Sequence, residues 1–93
     1  MLKHNSYFDG KVQSIGFERH GQRATVGVFD VGDVHFDAAA PERMTVISGE
    51  LQVKIGSGPW AHYPAGTTFE VPSKTGFDVK ATLPAAYLCE FLA

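Results

Sequence analysis

A histidine and two carboxylates stand close together near the middle of the chain. His35 and Asp37 are two residues apart, and Glu42 follows five positions after Asp37. Imidazole nitrogens and carboxylate oxygens are ligands that Fe, Mn and Zn accept in proteins. The trio therefore suggests a metal site. The alternative is that His35 is a polar residue on a half-exposed strand.

The rest of the chain has the pattern of short strands. Eight segments alternate apolar and polar residues or form short apolar runs, separated by turns at intervals of about ten residues. Ten glycines and five prolines in 93 residues fit so many turns. No segment has the periodicity of an amphipathic helix, and only residues 38–42 are candidates for a short helical turn. This pattern predicts an all-β sandwich or barrel. The predicted strands are 11–17, 24–29, 34–36, 44–48, 51–55, 67–71, 77–81 and 87–92.

Two segments match the two sequence elements of the cupin fold. In the first, Glu42 precedes an apolar strand that turns at Gly49 into the next strand; in the second, a Pro-x-Gly turn ending at Gly66 leads into a strand that stops at Pro72. Glycine permits the positive φ of tight turns, and a proline at a strand end sacrifices little hydrogen bonding. We therefore expect one domain, residues 1–93, with a cupin-type antiparallel β-barrel or jelly roll.

The cupin pattern also bears on the metal hypothesis. Metal-binding cupins place a His-x-His pair before the glutamate and a further histidine after the second element. Here His35 and Asp37 stand at the first place, and Phe77 stands where the last histidine would fall. A phenyl ring offers no lone pair and would crowd the ion. We therefore predict no metal and no other cofactor.

Composition excludes several classes of partner. The net charge is −2 with both signs dispersed, which predicts no nucleic-acid polymer as a ligand. No apolar stretch approaches the length of a signal peptide core or a membrane span, so a cytoplasmic protein without a membrane partner is expected. The one cysteine, Cys89, lies in an apolar run and is predicted to be a buried thiol.

Four blocks of residues together resemble one enzyme family, the small bacterial pyrimidine/purine nucleoside phosphorylases. The resemblance runs from Asn5 to the C-terminus. It implies a cupin fold, a homodimer, and phosphorolysis of purine and pyrimidine nucleosides to free base and ribose 1-phosphate, with inorganic phosphate as co-substrate. We expect the segment around Tyr7 and Phe8 to form part of the dimer interface. The blocks are Asn5-x-Tyr7-Phe8-x-Gly10-Lys11-Val12-x-Ser14-Ile15-Gly16-Phe17, Arg23-Ala24-x-Val26-Gly27-Val28, Pro41-Glu42-x-Met44-Thr45-Val46-Ile47-Ser48-Gly49 and Tyr87-Leu88-Cys89.

Phosphorolysis requires groups that hold phosphate and ribose. Arg23 and Lys11, both inside matching blocks, are the candidates for phosphate, with Ser14 adding a hydroxyl. The alternative is that both cations are solvated strand residues. Glu42 is the candidate for the ribose hydroxyls and the developing positive charge, or else a structural partner of Arg23 or Arg43. Glu42 and Arg23 are thus the predicted catalytic residues.

The base needs an aromatic surface. Tyr7, Phe8, Phe17 and Phe77 are candidates for stacking, which would tolerate any base, although in a barrel this small several of them are expected in the core. Two other functions stay open. One is a non-catalytic cupin that binds a sugar or nucleoside. The other is a metal-dependent cupin enzyme using His35, Asp37 and Glu42.

Overall fold

The computed structural model of the chain describes residues 1–92, which contain ten strands and no helix. The all-β prediction is confirmed. The strands are β1 Lys3–Tyr7, β2 Val12–Arg19, β3 Gln22–Phe29, β4 Gly32–Ala38, β5 Glu42–Ser48, β6 Glu50–Ile55, β7 Trp60–Pro64, β8 Thr68–Val71, β9 Thr75–Ala81 and β10 Ala85–Phe91. Since these residues form no helix, none of them provides a helical membrane span.

The strands form two antiparallel sheets. One sheet has six strands in the order β1-β2-β3-β10-β5-β8, and the other has four in the order β4-β9-β6-β7. From β3 onward the chain changes sheet at every connection except the β6–β7 hairpin. Such repeated crossing between two sheets is typical of a jelly roll. The predicted cupin-type architecture is confirmed.

The core lies between the inner faces of the two sheets. Its most deeply buried side chains include Val12 and Val46 from the six-stranded sheet and Leu51, Val53 and Val79 from the four-stranded sheet. Alternation along each strand brings these residues to one face, as the period of two requires.

The turn glycines have the predicted conformation. Gly49 has φ 77° and Gly66 has φ 89°, a region that side chains with a Cβ rarely adopt. Pro72 directly follows the last residue of β8. All three features confirm the sequence interpretation of the two cupin elements.

The sequence pattern missed two strands, β1 and β7, and each lies at one edge of its sheet. The residues of β1 are exposed except for the half-buried Asn5, and those of β7 are exposed or half-buried. Neither strand therefore carries a clear apolar alternation. The suggested helical turn at 38–42 is also wrong: Ala38 ends β4 and Glu42 begins β5, with a bend at 39–40 between them.

Candidate active site

A cavity of about 230 Å³ lies between the two sheets. Half of its lining residues are aromatic, and the polar ones come from both the rim and the interior. The lining residues are Tyr7, Ser14, Thr25, Phe29, Phe36, Asp37, Glu42, Met44, Phe77, Tyr87, Cys89 and Phe91.

The two sheets contribute different chemistry to the cavity. We call Ser14, Thr25, Tyr87, Cys89 and Glu42, which lie on the inner face of the six-stranded sheet, the polar floor. We call Phe36 and Phe77, from neighbouring positions of β4 and β9, the aromatic wall. The two rings of the wall are stacked with centroids 5.8 Å apart and planes 25° apart. A ligand in the cavity therefore meets hydrogen-bonding groups on one side and π faces on the other.

The side chains of the polar floor lie in rows, each made of residues that are paired across neighbouring strands. Ser14 pairs with Gly27, which pairs with Tyr87. One row further along, Thr25 pairs with Cys89. Since side chains on one face repeat every two residues, successive rows are about 7 Å apart.

A third row completes the floor. Phe91 pairs with Glu42 across β10 and β5, two residues beyond Cys89. Both side chains are half-buried, whereas Cys89 is buried. The Glu42 row therefore lies at the more open end of the floor.

Glu42 is a half-buried carboxylate with one hydrogen-bond donor. The Cys89 thiol donates to Glu42 Oε1 over 3.4 Å. Burial raises the pKa of Glu42, and the hydrogen bond from Cys89 lowers it by a smaller amount. Burial, followed by the charge of Glu42, raises the pKa of the Cys89 thiol far above its usual range, so Cys89 remains a neutral donor.

Tyr87 is buried on the floor, with 6% of its surface exposed. Burial raises the pKa of Tyr87 to about 12, and hydrogen bonding with Ser14 and Thr25 offsets only part of that rise. Ser14 also accepts a hydrogen bond from Asn5 Nδ2 at 3.5 Å. At neutral pH the phenol is therefore protonated.

Arg23 lies next to the lining, at the Glu42 end of the floor. Its guanidinium carbon is 5.3 Å from the centroid of the Phe91 ring, a cation–π contact. Arg19 is paired with Glu90 at 2.9 Å, and Arg43 with Glu70 at 3.1 Å. Within residues 1–92, Arg23 is the arginine that forms no ion pair with a side chain.

Comparison with known proteins identifies the family. The family model of pyrimidine/purine nucleoside phosphorylase matches residues 2–91. The chain belongs to this family. A pyrimidine/purine nucleoside phosphorylase of Sorangium cellulosum (strain So ce56) is 68% identical, over 99% of this chain and 100% of that protein. Another, of Anaeromyxobacter sp. (strain Fw109-5), is 62% identical, over 99% of this chain and 89% of that protein. The family resemblance seen in the sequence is confirmed.

A solved structure supports the fold as well. The crystal structure of a Vibrio parahaemolyticus protein of unknown function matches with a TM-score of 0.95 at 45% identity, over 99% of each chain. The two-sheet arrangement is thus shared along essentially the whole length.

Four of the residues predicted from the sequence come together in the cavity. Tyr7, Ser14, Glu42 and Phe77 all line it. Phe77 is 3% exposed and belongs to the aromatic wall, so the expectation that it faces the cavity is confirmed. Arg23 is adjacent to them through Phe91.

The other three predicted residues lie outside the lining. Lys11 and Phe8 line a separate surface groove, and the amine of Lys11 lies against Gly32. Phe17 is half-buried but does not line the cavity. The period of two explains this, because Phe17 is three residues from the inward-facing Ser14 on β2 and so faces the other way. Their predicted ligand contacts stay predictions.

The suggested metal trio does not converge. His35 and Asp37 alternate with the inward-facing positions of β4, and the His35 ring bonds Asp78 Oδ1 at 2.8 Å and Asp37 Oδ1 at 3.0 Å. Asp37 borders the cavity, but its side chain is 84% exposed. Glu42 is on the inner face of the other sheet. Across residues 1–92, no group of three or more His, Cys, Asp and Glu side chains is placed to hold a metal ion. That the protein works without a metal stays a prediction.

Sequence reasoning missed the contribution of β10. Tyr87, Cys89 and Phe91 line the cavity. Because apolar Leu88 lies between Tyr87 and Cys89, the sequence shows no alternation that would identify the inward face of this strand. Thr25 was missed as well, although it is in phase with the inward-facing Gly27 and Phe29 of β3; in the structure it is one of the two buried polar residues, with Ser14.

Proposed function

We propose that this protein catalyses phosphorolysis of purine and pyrimidine nucleosides to free base and ribose 1-phosphate in the cavity between its sheets. The observation that carries the proposal is the half-buried Glu42 carboxylate, which shares one small cavity with the stacked Phe36 and Phe77 rings. Membership of a nucleoside phosphorylase family supports the reaction class. Inorganic phosphate is the only co-substrate in this proposal.

Glu42 has the chemistry to act on the ribose. A carboxylate accepts hydrogen bonds from sugar hydroxyls and stabilises the positive charge of an oxocarbenium-like transition state. The Cys89 thiol donates to Oε1, which limits rotation of the carboxylate and leaves Oε2 for the sugar. In this role Glu42 is required as an anion, so its raised pKa sets the acid limit of activity.

Arg23 is our candidate for the phosphate. It stacks on Phe91, the cross-strand neighbour of Glu42, so the cation and the carboxylate flank one aromatic ring. Its fork can donate two hydrogen bonds to a phosphate. Lys11, the other predicted cation, lies on a different groove, so this proposal does not require it.

The aromatic wall supports the proposal of broad base specificity. Phe36 and Phe77 offer π faces without hydrogen-bonding groups, and stacking on such faces tolerates any base. The cavity, at about 230 Å³, is smaller than the roughly 300–1,000 Å³ of ligand pockets in general. The base therefore occupies the interior while ribose and phosphate extend to the open side.

We also propose a symmetric homodimer. The outer face of the six-stranded sheet exposes Ile15, Val26, Val28 and Ile47, each by 40–52% of its surface. Side chains of this kind on one sheet face favour association. Light scattering at micromolar concentration should return twice the monomer mass of 10.1 kDa; a monomer mass would contradict the dimer.

The reaction itself is tested by incubating the protein with uridine or adenosine, with and without phosphate, and measuring free base by chromatography. Base release that depends on phosphate, together with formation of ribose 1-phosphate, is the expected result. Glu42→Gln should abolish most of it. The matched control is Glu50→Gln, which changes an exposed carboxylate outside the cavity lining. Binding of nucleoside without base release would indicate a non-catalytic binding protein instead.

A further inference from the structure

Tyr87 carries a polar group that the proposed roles of Glu42 and Arg23 leave unused. The residue is 6% exposed and lines the cavity. Among the described residues, the buried polar side chains are Ser14 and Thr25, and both interact with the Tyr87 hydroxyl. A cluster of three hydroxyls in an otherwise apolar interior is costly to bury unless its hydrogen-bonding capacity is used.

Gly27 creates the space in which the phenol lies. Gly27 stands between Ser14 and Tyr87 in the strand register. A Cβ on residue 27 would come 2.8 Å from the Tyr87 hydroxyl, 2.8 Å from Ser14 Cβ and 2.5 Å from the carbonyl oxygen of Gln13. The phenol thus extends over the bare backbone of β3 towards Ser14 on β2. The hydroxyl occupies space that a side chain on residue 27 would otherwise fill.

The hydroxyl is a donor at every physiological pH. Burial raises the pKa of Tyr87 to about 12, so the phenol keeps its proton. The two ends of the polar floor differ in charge. Neutral hydroxyls occupy the row of Ser14 and Tyr87, and the carboxylate of Glu42 lies two rows away. A ligand group that gains negative charge is therefore accommodated beside Tyr87 and repelled beside Glu42.

We propose that Tyr87 is a catalytic hydrogen-bond donor to the departing base, and that the nucleoside binds with its base towards Tyr87 and its ribose towards Glu42. This inference rests on the proposed phosphorylase function. An oxygen of hydrogen phosphate forms the new bond to C1′ of the ribose while the C1′–N bond breaks, and the bonding electron pair leaves with the base. The proton of the phosphate ends on the base nitrogen. Tyr87 stabilises the negative charge of the base during this transfer and keeps its own proton.

The test compares Tyr87→Phe with the parent on two substrates, uridine and 5-fluorouridine, whose base is the better leaving group. Removing one preorganised donor lowers kcat on the order of 100-fold. The loss should be large for uridine and several-fold smaller for 5-fluorouridine, because a base that carries charge more easily needs the donor less. KM should change little. The matched control is Tyr63→Phe, since Tyr63 is half-buried, packs against Phe69 and lies outside the cavity lining.

A structural role would give a different result. If Tyr87→Phe lost the same factor on both substrates, or stayed within about threefold of the parent on both, the proposal would be overturned. If Tyr87→Phe fails to fold, Ser14→Ala replaces it and should show a smaller loss with the same dependence on leaving group. A parent protein that releases no base with phosphate would overturn the proposed function itself, whereas an active parent with an unaffected Tyr87→Phe would overturn this inference alone.

Discussion

Cys89 donates a hydrogen bond to Glu42 across two neighbouring strands, with 3.4 Å between Sγ and Oε1. The bond opposes the rise that burial causes in the pKa of Glu42. The thiol cannot compete as a charged group, because burial and the adjacent carboxylate raise its own pKa far above the physiological range. The only cysteine of the chain thus donates a hydrogen bond to Glu42, the one carboxylate of the polar floor.

The first prediction concerns this bond. Replacing Cys89 with Ala removes an interaction that lowers the pKa of Glu42, so that pKa rises further. The acid limb of the profile of kcat/KM against pH should then move to higher pH. Cys89→Ser keeps a donor and should leave the limb near its original position. An acid limb that is the same in the parent and in Cys89→Ala would show that the thiol does not influence Glu42.

The second prediction separates the effect of Glu42 on the stability of the protein from its effect on activity. A carboxyl with a raised pKa in the folded state binds its proton more tightly there than in the unfolded chain. Stability is therefore lost as pH rises from the usual glutamate value through the raised one. Glu42→Gln lacks this loss, so at pH 8 it should melt at or above the temperature of the parent while losing activity. The difference should vanish below about pH 4, where the parent is protonated as well.

Melting curves of both proteins at several pH values check this prediction. Glu50→Gln serves as the control, because Glu50 is exposed and contacts His62 at 3.1 Å on the edge strand. If Glu42→Gln melted well below the parent at pH 8, the carboxylate would have a structural role that the contacts at Glu42 do not show.

The third prediction concerns the close packing around Gly27, the residue between Ser14 and Tyr87. Gly27→Ala would place a methyl group 2.5 Å from a backbone carbonyl oxygen, which cannot move aside as a flexible side chain does. Overpacking of this kind costs about 1–3 kcal/mol. A clear drop in the free energy of unfolding is expected from denaturant titration. Gly16→Ala is the control, because its nearest contacts would be 3.6–3.9 Å away, and it should unfold close to the parent.

The sequence predicted the fold more completely than the site, for a physical reason. Strands are specified by local alternation and turn glycines, as at Gly49 and Gly66, and only the edge strands β1 and β7 lacked that signal. The site depends on which strands pair. Thr25 and Cys89 are 64 positions apart in the chain and become neighbours only through the register of β3 with β10.

The sequence also does not show directly to which face of its strand a given residue points. His35 and Asp37 were considered as ligands because of their types, but Val34, Phe36 and Ala38 are the residues of β4 that face inward. A shift of one position moves a strand residue to the opposite face. Glu42 and Phe77 do line the cavity, because their spacing from the cupin elements gives their positions: Glu42 begins the first element, and Phe77 follows the second.

The fourth prediction concerns Arg23 and the phosphate. Arg23 lies over the ring of Phe91, beside the cavity, and makes no ion pair with a side chain of residues 1–92, whereas Arg19 and Arg43 are both paired. An unpaired guanidinium that is separated from the half-buried Glu42 carboxylate by one strand is available to an anionic substrate. If it contacts phosphate through two N–H groups, Arg23→Lys loses the fork geometry and should already be harmful.

Phosphorolysis of uridine by Arg23→Ala and Arg23→Lys, measured over a range of phosphate concentrations, checks this role. We expect Arg23→Ala to lower kcat/KM for phosphate by a factor on the order of 30 to 1,000, which corresponds to about 2–4 kcal/mol. Arg19→Ala is the control: it removes a surface ion pair with Glu90 and should leave the phosphate dependence unchanged. Each variant must first show the melting behaviour of a folded protein. Activity of Arg23→Ala within a few-fold of the parent, with the same dependence on phosphate, would remove Arg23 from the site and leave Lys11 as the next basic residue to test.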